Sequence, residues 1–475
     1  MSFLQPKTKA AHDTVNPPKL LDYMLKNWKP ADGKLPKPVK NVASFAARRA
    51  ALSKLFPGEL LLIPTGNMKV RANDTFYSFR PSSDFYYLTG NVEPDCVLAM
   101  LPKNGGHEAV LFVEPNPGKT DATFYTDRNK GELWEGARMG LKESAARFGI
   151  ETKSLHELNE FVSSSLLGAK SQKGFRLLRN ISAILDSLAP AQAAKDQEFA
   201  MHLSEMRLLK GKEEIAELSA AINATKKGFE DVIRRIKKAK NERELEGVFF
   251  TRARIEGNDV GYGTIVASGH HACTLHWKKN DGPLRKGDLL LLDAGVEGNS
   301  LYTADITRTL PINGKFSPAQ KEIYSLVLAA QKAAIKEVKP GNDFMAPNRV
   351  AMKVLAEGLE ELGLLESAVE ALKDENQFYK RYTLHNVSHM LGLDVHDCAQ
   401  ARQESYKYGQ FKAGMVLTVE PGLYFQMDDL TVPAKYRGIG VRIEDDVVVT
   451  EKGCKNLSGH IPKEVKEVEA WMKLK

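Results

Sequence analysis

The stretch Asp288-Leu289-Leu290-Leu291-Leu292-Asp293-Ala294-Gly295, followed by Thr303-Ala304-Asp305-Ile306-Thr307-Arg308-Thr309-Leu310, decides how this chain is to be read. Four consecutive leucines bounded by acids predict a buried strand. A buried strand that ends in a carboxylate beside glycine must have that charge compensated. The second run alternates, so that Asp305, Thr307 and Thr309 share one strand face opposite Ile306 and Leu310. The two acids are twelve residues apart, a distance that suits a hairpin return and predicts two carboxylates side by side. Such charges repel unless a proton or a metal lies between them.

Further along, the same anomaly recurs twice. Val416-Leu417-Thr418-Val419-Glu420-Pro421-Gly422 predicts an apolar strand ending at Glu420 before a Pro-Gly turn. Gly440-Val441-Arg442-Ile443-Glu444-Asp445-Asp446 puts Arg442 and Glu444 on one strand face with Val441 and Ile443 on the other. Between these runs His385, His389 and His396 place three of the chain's eleven histidines within twelve residues. Any one of these residues alone is most simply a hydrogen-bonded core residue, but together they form a donor set. It is not the H-E-x-x-H helix of zinc peptidases, because position 386 is Asn where that motif needs Glu. Four carboxylates and an imidazole match the charge of two divalent ions, and oxygen-rich ligation favours Mn(II) over a thiolate-seeking metal. Divalent ions so held activate water and polarise a carbonyl, which is hydrolytic machinery.

Working outward, 475 residues exceed a typical single domain, and 43% hydrophobic with 27% charged residues exclude a disordered or collagenous chain. Residues 1–40, with eight Lys, three Asp and scattered Pro, read as a basic arm carrying at most one short helix around Leu20–Leu25. This arm holds most of the +7 net charge, so the charge does not mark a nucleic-acid face. Residues 41–195 read as a first α/β domain: a helix around Phe45–Leu52, then strands at Leu60–Ile63, Val97–Leu101 and Ala109–Val113. The small and polar stretch Ala189–Lys195 reads as the approach to a boundary, and residues 205–475 as a second domain. There, apolar positions from Ile215 to Ile236 mark one face of a long helix starting near Lys212. Asn241 and Ser317 each stand three residues before Glu or Gln as helix caps. Gly261-Tyr262-Gly263 and Gly438-Ile439-Gly440 lack the third glycine of a dinucleotide loop, and no phosphate-loop motif exists. No run is long enough for a membrane helix, and Met1–Lys9 has no apolar signal core, so a cytoplasmic location is expected. Cys96, Cys273, Cys398 and Cys454 are too scattered for a disulfide framework or a cysteine zinc site.

Taken in order, D-A-G at Asp293, D-x-T-R-T at Asp305, the His-rich run ending His396-Asp397, E-P-G at Glu420 and R-x-E-D at Arg442 and Glu444 closely resemble the creatinase/aminopeptidase family of pita-bread metallopeptidases, peptidase family M24, in its aminopeptidase P branch. Phe79 to Gly90, Glu93-Pro94-Asp95, and Arg128 to Trp134-Glu135-Gly136 resemble the N-terminal domain of that branch, so the resemblance spans roughly residues 41–475. It implies an α/β (α+β) chain, with a creatinase-type domain before a pita-bread catalytic domain. By resemblance Asp293, Asp305, His389, Glu420 and Glu444 hold two divalent ions. His276 and His385 stabilise the oxyanion, and Glu420 shuttles a proton. His276, His396 and Tyr424 meet the substrate, and Arg442 orients ligands. The spacing of the first two acids is one longer than the commoner family pattern, which predicts a longer loop or bulge around Val296–Ser300. The implied enzyme is a metallo-aminopeptidase acting on peptides with an N-terminal Xaa-Pro, and it forms a homo-oligomer, dimer or tetramer. A prolidase restricted to Xaa-Pro dipeptides is the nearest alternative, and a non-catalytic binding protein of the same fold a more distant one.

Overall fold

The computed structural model describes residues 16–30, 32–167 and 174–474. Residues 1–15 and 31 of the expected arm therefore lie outside the described residues, and the remainder contains one helix, Pro18–Met24. The chain forms two compact units, Met1–Leu203 and Ser204–Lys475. The stretch read as a boundary runs into a helix, Ala193–Met206, because its alanines and alternating charged residues are good helix formers.

In the first unit, the Leu60–Pro64, Val97–Lys103 and Gly106–Val113 strands pair antiparallel, flanked by parallel edge strands Glu151–Ser154 and Phe175–Leu177. Leu60, Leu62, Val97, Ala99, Val110 and Phe112 form the buried core beneath the sheet. The Val42–Leu55 helix covers the predicted helical run.

In the second unit, Lys212–Ile236 forms a 25-residue helix whose buried residues include Leu218, Ile222, Phe229, Val232, Ile233 and Ile236. Helices Glu242–Glu256 and Pro318–Glu337 begin at the predicted caps, Asn241 and Ser317, whose side chains accept from the Glu244 and Gln320 backbone N–H groups. The Leu289–Ala294 strand is central in a three-stranded sheet, between Ile265–Ser268 and Ile306–Pro311. Asp293 faces Thr307, so Asp305, two residues earlier, lies diagonally across on the same face rather than directly opposite. The connection between them closes in a turn where Gly298 N–H donates to the Tyr302 carbonyl and Leu301 adopts φ 62°.

Two sequence expectations change. Val416–Val419 pairs with Asp445–Val449, whereas Gly422–Tyr424 pairs with Gly440–Arg442. One antiparallel register runs through both pairs and is interrupted between Val419 and Gly422 and between Arg442 and Asp445, leaving a joint at which Glu420 and Glu444 sit. Pro421-Gly422 makes no turn; it begins the next strand, because a Cβ on Gly422 would strike the Tyr424 side chain and the Val441 carbonyl. The alternation through Gly440–Asp446 concealed the break because its apolar period continues across it.

Candidate metal centre

The joint brings five separate chain segments together. Asp293 ends its strand and Asp305 immediately precedes Ile306–Pro311. Gly295 allows this approach, since a Cβ there would fall on the Ala304 carbonyl. The segment carrying His389 is irregular, yet it runs beside the Val416–Val419 strand: Thr418 N–H donates to the His389 carbonyl at 3.0 Å, and Glu420 N–H donates to the Val387 carbonyl at 2.8 Å. One atom each of Asp305, His389 and Glu444 lie within 4.8 Å of one another. His389 Nε2 is 3.3 Å from Asp305 Oδ2 and 3.4 Å from Glu420 Oε1. Thr307 Oγ1 donates to Glu444 Oε2 at 2.6 Å. Arg442 donates to Asp293 Oδ2 from its Nη2.

The electrostatics describe an excess of negative charge. Burial pushes the Asp293 carboxyl up, against the pull of Arg442. Burial, then Asp305 and Glu420, push Glu444 well above the carboxylate range. Desolvation raises Glu420 to about 7 despite His389 and Arg442. At His389 burial opposes the charge, but Asp305 and Glu420 prevail and lift the imidazole to about 9.

Tyr262, which the sequence reading passed over, completes the cluster. Its hydroxyl lies 2.7 Å from Asp293 Oδ1 and 2.5 Å from Asp305 Oδ1. One phenolic proton cannot serve two carboxylate oxygens, so the second close contact requires a proton or a cation. This, with the donor set, is what a divalent-ion site demands, and the residues fit. The available signal was the pair of flanking glycines: a Cβ on Gly261 would overlap the Thr303 side chain.

Around this cluster, Arg442 Nη1 donates to the Tyr424 hydroxyl at 3.0 Å, and that hydroxyl lies 2.8 Å from His385 Nε2. Since Arg442 supplies the proton to the Tyr424 oxygen, the phenol donates onward to Nε2. His385 Nδ1–H then faces the Asn386 carbonyl at 2.9 Å. Burial and Arg442 lower His385 to about 4, consistent with this neutral ring. His276 and His396 are exposed. The His396 ring lies 4.4 Å from that of His389, and burial followed by the His389 charge lowers it. Proximity to His276 is among the smaller causes that lower His385 and His396.

A mixed α/β chain with this carboxylate-imidazole cluster in its second unit defines the class of metal-dependent hydrolases. Comparison with known proteins narrows it. The model for "Metallopeptidase family M24" matches residues 216–451, and that for "Aminopeptidase P, N-terminal domain" matches residues 45–173. The chain is 50% identical over 455 residues to Xaa-Pro aminopeptidase 1 of Streptomyces coelicolor, covering 95% of this chain and 91% of that one. It is 35% identical to the Xaa-Pro aminopeptidase of Escherichia coli, covering 90% and 96%. The solved structure of Pseudomonas aeruginosa aminopeptidase PepP matches with a TM-score of 0.80 at 33% identity, covering 91% and 98%. The chain belongs to metallopeptidase family M24, with an aminopeptidase P N-terminal domain before a pita-bread domain, and is a metallo-aminopeptidase.

Proposed function

We propose that this protein releases the N-terminal residue from peptides whose second residue is proline, using two divalent ions, Mn(II), held by Asp293, Asp305, His389, Glu420 and Glu444. The observation that carries the reading is the convergence of those carboxylates and His389 around Tyr262, balanced within the protein chiefly by Arg442. The relatives named above as Xaa-Pro aminopeptidases support the substrate class. Ions bound there supply an activated water and polarise the scissile carbonyl.

The chain's own groups do the rest. Glu420, 3.4 Å from His389 Nε2 and 3.7 Å from His385 Nδ1, is placed to hold a proton between the attack and the departure of the proline nitrogen. That nitrogen must be protonated to leave, and proline offers no N–H by which an ordinary peptidase could align the bond. His385 is held neutral between the Tyr424 hydroxyl and the Asn386 carbonyl, and to stabilise the developing oxyanion together with His276 its Nδ1–H must turn from Asn386 toward the substrate. His396 and Tyr424 border the same space and meet the peptide. The Arg442 guanidinium fixes both Asp293 and Tyr424.

Cys96, Cys273, Cys398 and Cys454 are unpaired, which supports a reducing compartment such as the cytoplasm. No helix among the described residues is long and apolar enough to cross a membrane. A homo-oligomer, dimer or tetramer, is the assembly we propose, and sedimentation velocity reads it directly.

The test is a matched pair of substrates. With Mn(II), an Xaa-Pro oligopeptide loses its first residue, as read by mass spectrometry, and the same peptide with alanine in place of proline is cut far more slowly. Cleavage of an Xaa-Pro dipeptide without the oligopeptide would establish the prolidase reading instead. No cleavage of either would leave a binding protein.

A further inference from the structure

Glu242 is the first residue of the Glu242–Glu256 helix and has no exposed surface. A buried carboxylate costs several kcal/mol unless it is fully hydrogen-bonded, and this one is, entirely by the loop that follows the Ile265–Ser268 strand. Oε1 accepts from Ser268 N–H at 2.7 Å and from His271 Nδ1 at 2.8 Å. Oε2 accepts from Trp277 Nε1 at 2.8 Å and from Gly282 N–H at 2.7 Å. The Glu242 N–H in turn donates to the Gly282 carbonyl at 3.0 Å. The His271 and Trp277 rings stack at 3.9 Å with an angle of 20°. Both ends of the His271–Trp277 arc are therefore drawn to one carboxylate, and His276 stands on that arc beside Trp277, exposed.

A helix cap would need none of this, because its acceptors serve its own first turn. Here the four bonds go to the loop. We propose that Glu242 is a positioning residue: its carboxylate ties the Ser268–Gly282 loop so that His276 is held toward the site shared by His385 and His396. The loop's other side is fastened as well, with Gln426 Nε2 donating to the Cys273 carbonyl at 2.9 Å. An amide cannot replace the carboxylate. Glutamine offers one acceptor oxygen where two are needed, and its NH2 would face two N–H donors.

This proposal rests on the reading of His276 as a substrate-binding group, and a double-mutant cycle separates the two. Glu242→Gln, His276→Ala and the double variant are compared in full-length protein by kcat/KM on an Xaa-Pro oligopeptide with Mn(II), by bound metal per chain, and by thermal midpoint. The expected result is a loss of ~10²-fold for Glu242→Gln, with metal content unchanged. In the His276→Ala background the same substitution has no further effect. Losses that multiply, or a Glu242→Gln enzyme with wild-type kcat/KM, would overturn the positioning role while leaving His276 in place. An undiminished His276→Ala enzyme would remove the reading of His276 and the proposal with it. Where Glu242→Gln does not fold, Trp277→Phe removes one of the four donors. Its smaller loss must likewise vanish without His276, and a loss of equal size in both backgrounds contradicts the proposal.

Discussion

Tyr262 carries one phenolic proton and faces two buried carboxylates, so its removal is a sharp test of how the cluster is held. Tyr262→Phe keeps the ring and its packing, and should weaken metal affinity or activity by ~10–100-fold, the usual effect of losing a group that orients ligands. A metal titration by calorimetry checks it. Arg442→Lys is not conservative, since one ammonium cannot span Asp293 and the Tyr424 hydroxyl as the guanidinium does. It should lose kcat by ~10²-fold or more, and steady-state kinetics decides. At this scale the residues that converge on the cluster stood out in the sequence because acids are rare at the ends of apolar strands and histidines rare in clusters. Tyr262 and Glu242 were not: a tyrosine between glycines and a glutamate at a helix start are ordinary in sequence, and only the fold shows what they touch.

The elements are pinned to one another by contacts that leave little room for change. Gly295→Ala would drive a Cβ into the Ala304 carbonyl, forcing apart the two strands that carry Asp293 and Asp305. The expected cost is about 1–3 kcal/mol of stability, with a larger fall in metal affinity, seen by denaturant unfolding and metal counting. The loop between His389 and His396 is anchored by Asp397, which accepts from Arg207 Nε and Lys210 Nζ, both at 3.0 Å. Burial alone would raise this carboxyl, but Lys210 and Arg207 prevail and hold it below its ordinary range. Its contribution to stability is therefore fully present above the unfolded carboxyl pKa of ~3.9 and is lost as pH falls through the lower folded value. Asp397→Asn should cost about 3–5 kcal/mol by removing the buried charge that Lys210 and Arg207 share, while Arg207 keeps the longer contact to Asp394 at 3.9 Å. Its unfolding free energy, followed from pH 6 to pH 3, should also fall less steeply than that of the wild type. Helix starts and strand identities were readable here, because caps and apolar period are local signals. The interruption of the pairing at Glu420 and Glu444 was not, since the apolar alternation of Gly440–Asp446 continues across it.

For the whole molecule, the local crowding of buried carboxylates in the second unit explains why net charge misleads. Most of the +7 lies in the first forty residues, whereas the carboxylates that face Tyr262 and His389 crowd in the second unit. The small and polar stretch Ala189–Lys195 reads as the approach to a boundary, and what it leads into is the helix Ala193–Met206. A chain whose native state alone assembles these ligands is stabilised by metal. At a free concentration a hundred times Kd the gain is about 2.7 kcal/mol, so chelation should lower the thermal midpoint and added Mn(II) restore it. The most direct test strips the full-length protein of metal and titrates Mn(II) back, while counting bound ions and following release of the first residue from an Xaa-Pro oligopeptide. The account predicts no release from the stripped protein and full activity as two ions per chain are bound, with neither ion retained when Asp305→Asn or His389→Ala disrupts the cluster. Release that persists in the stripped protein, or two bound ions without any release, would contradict it.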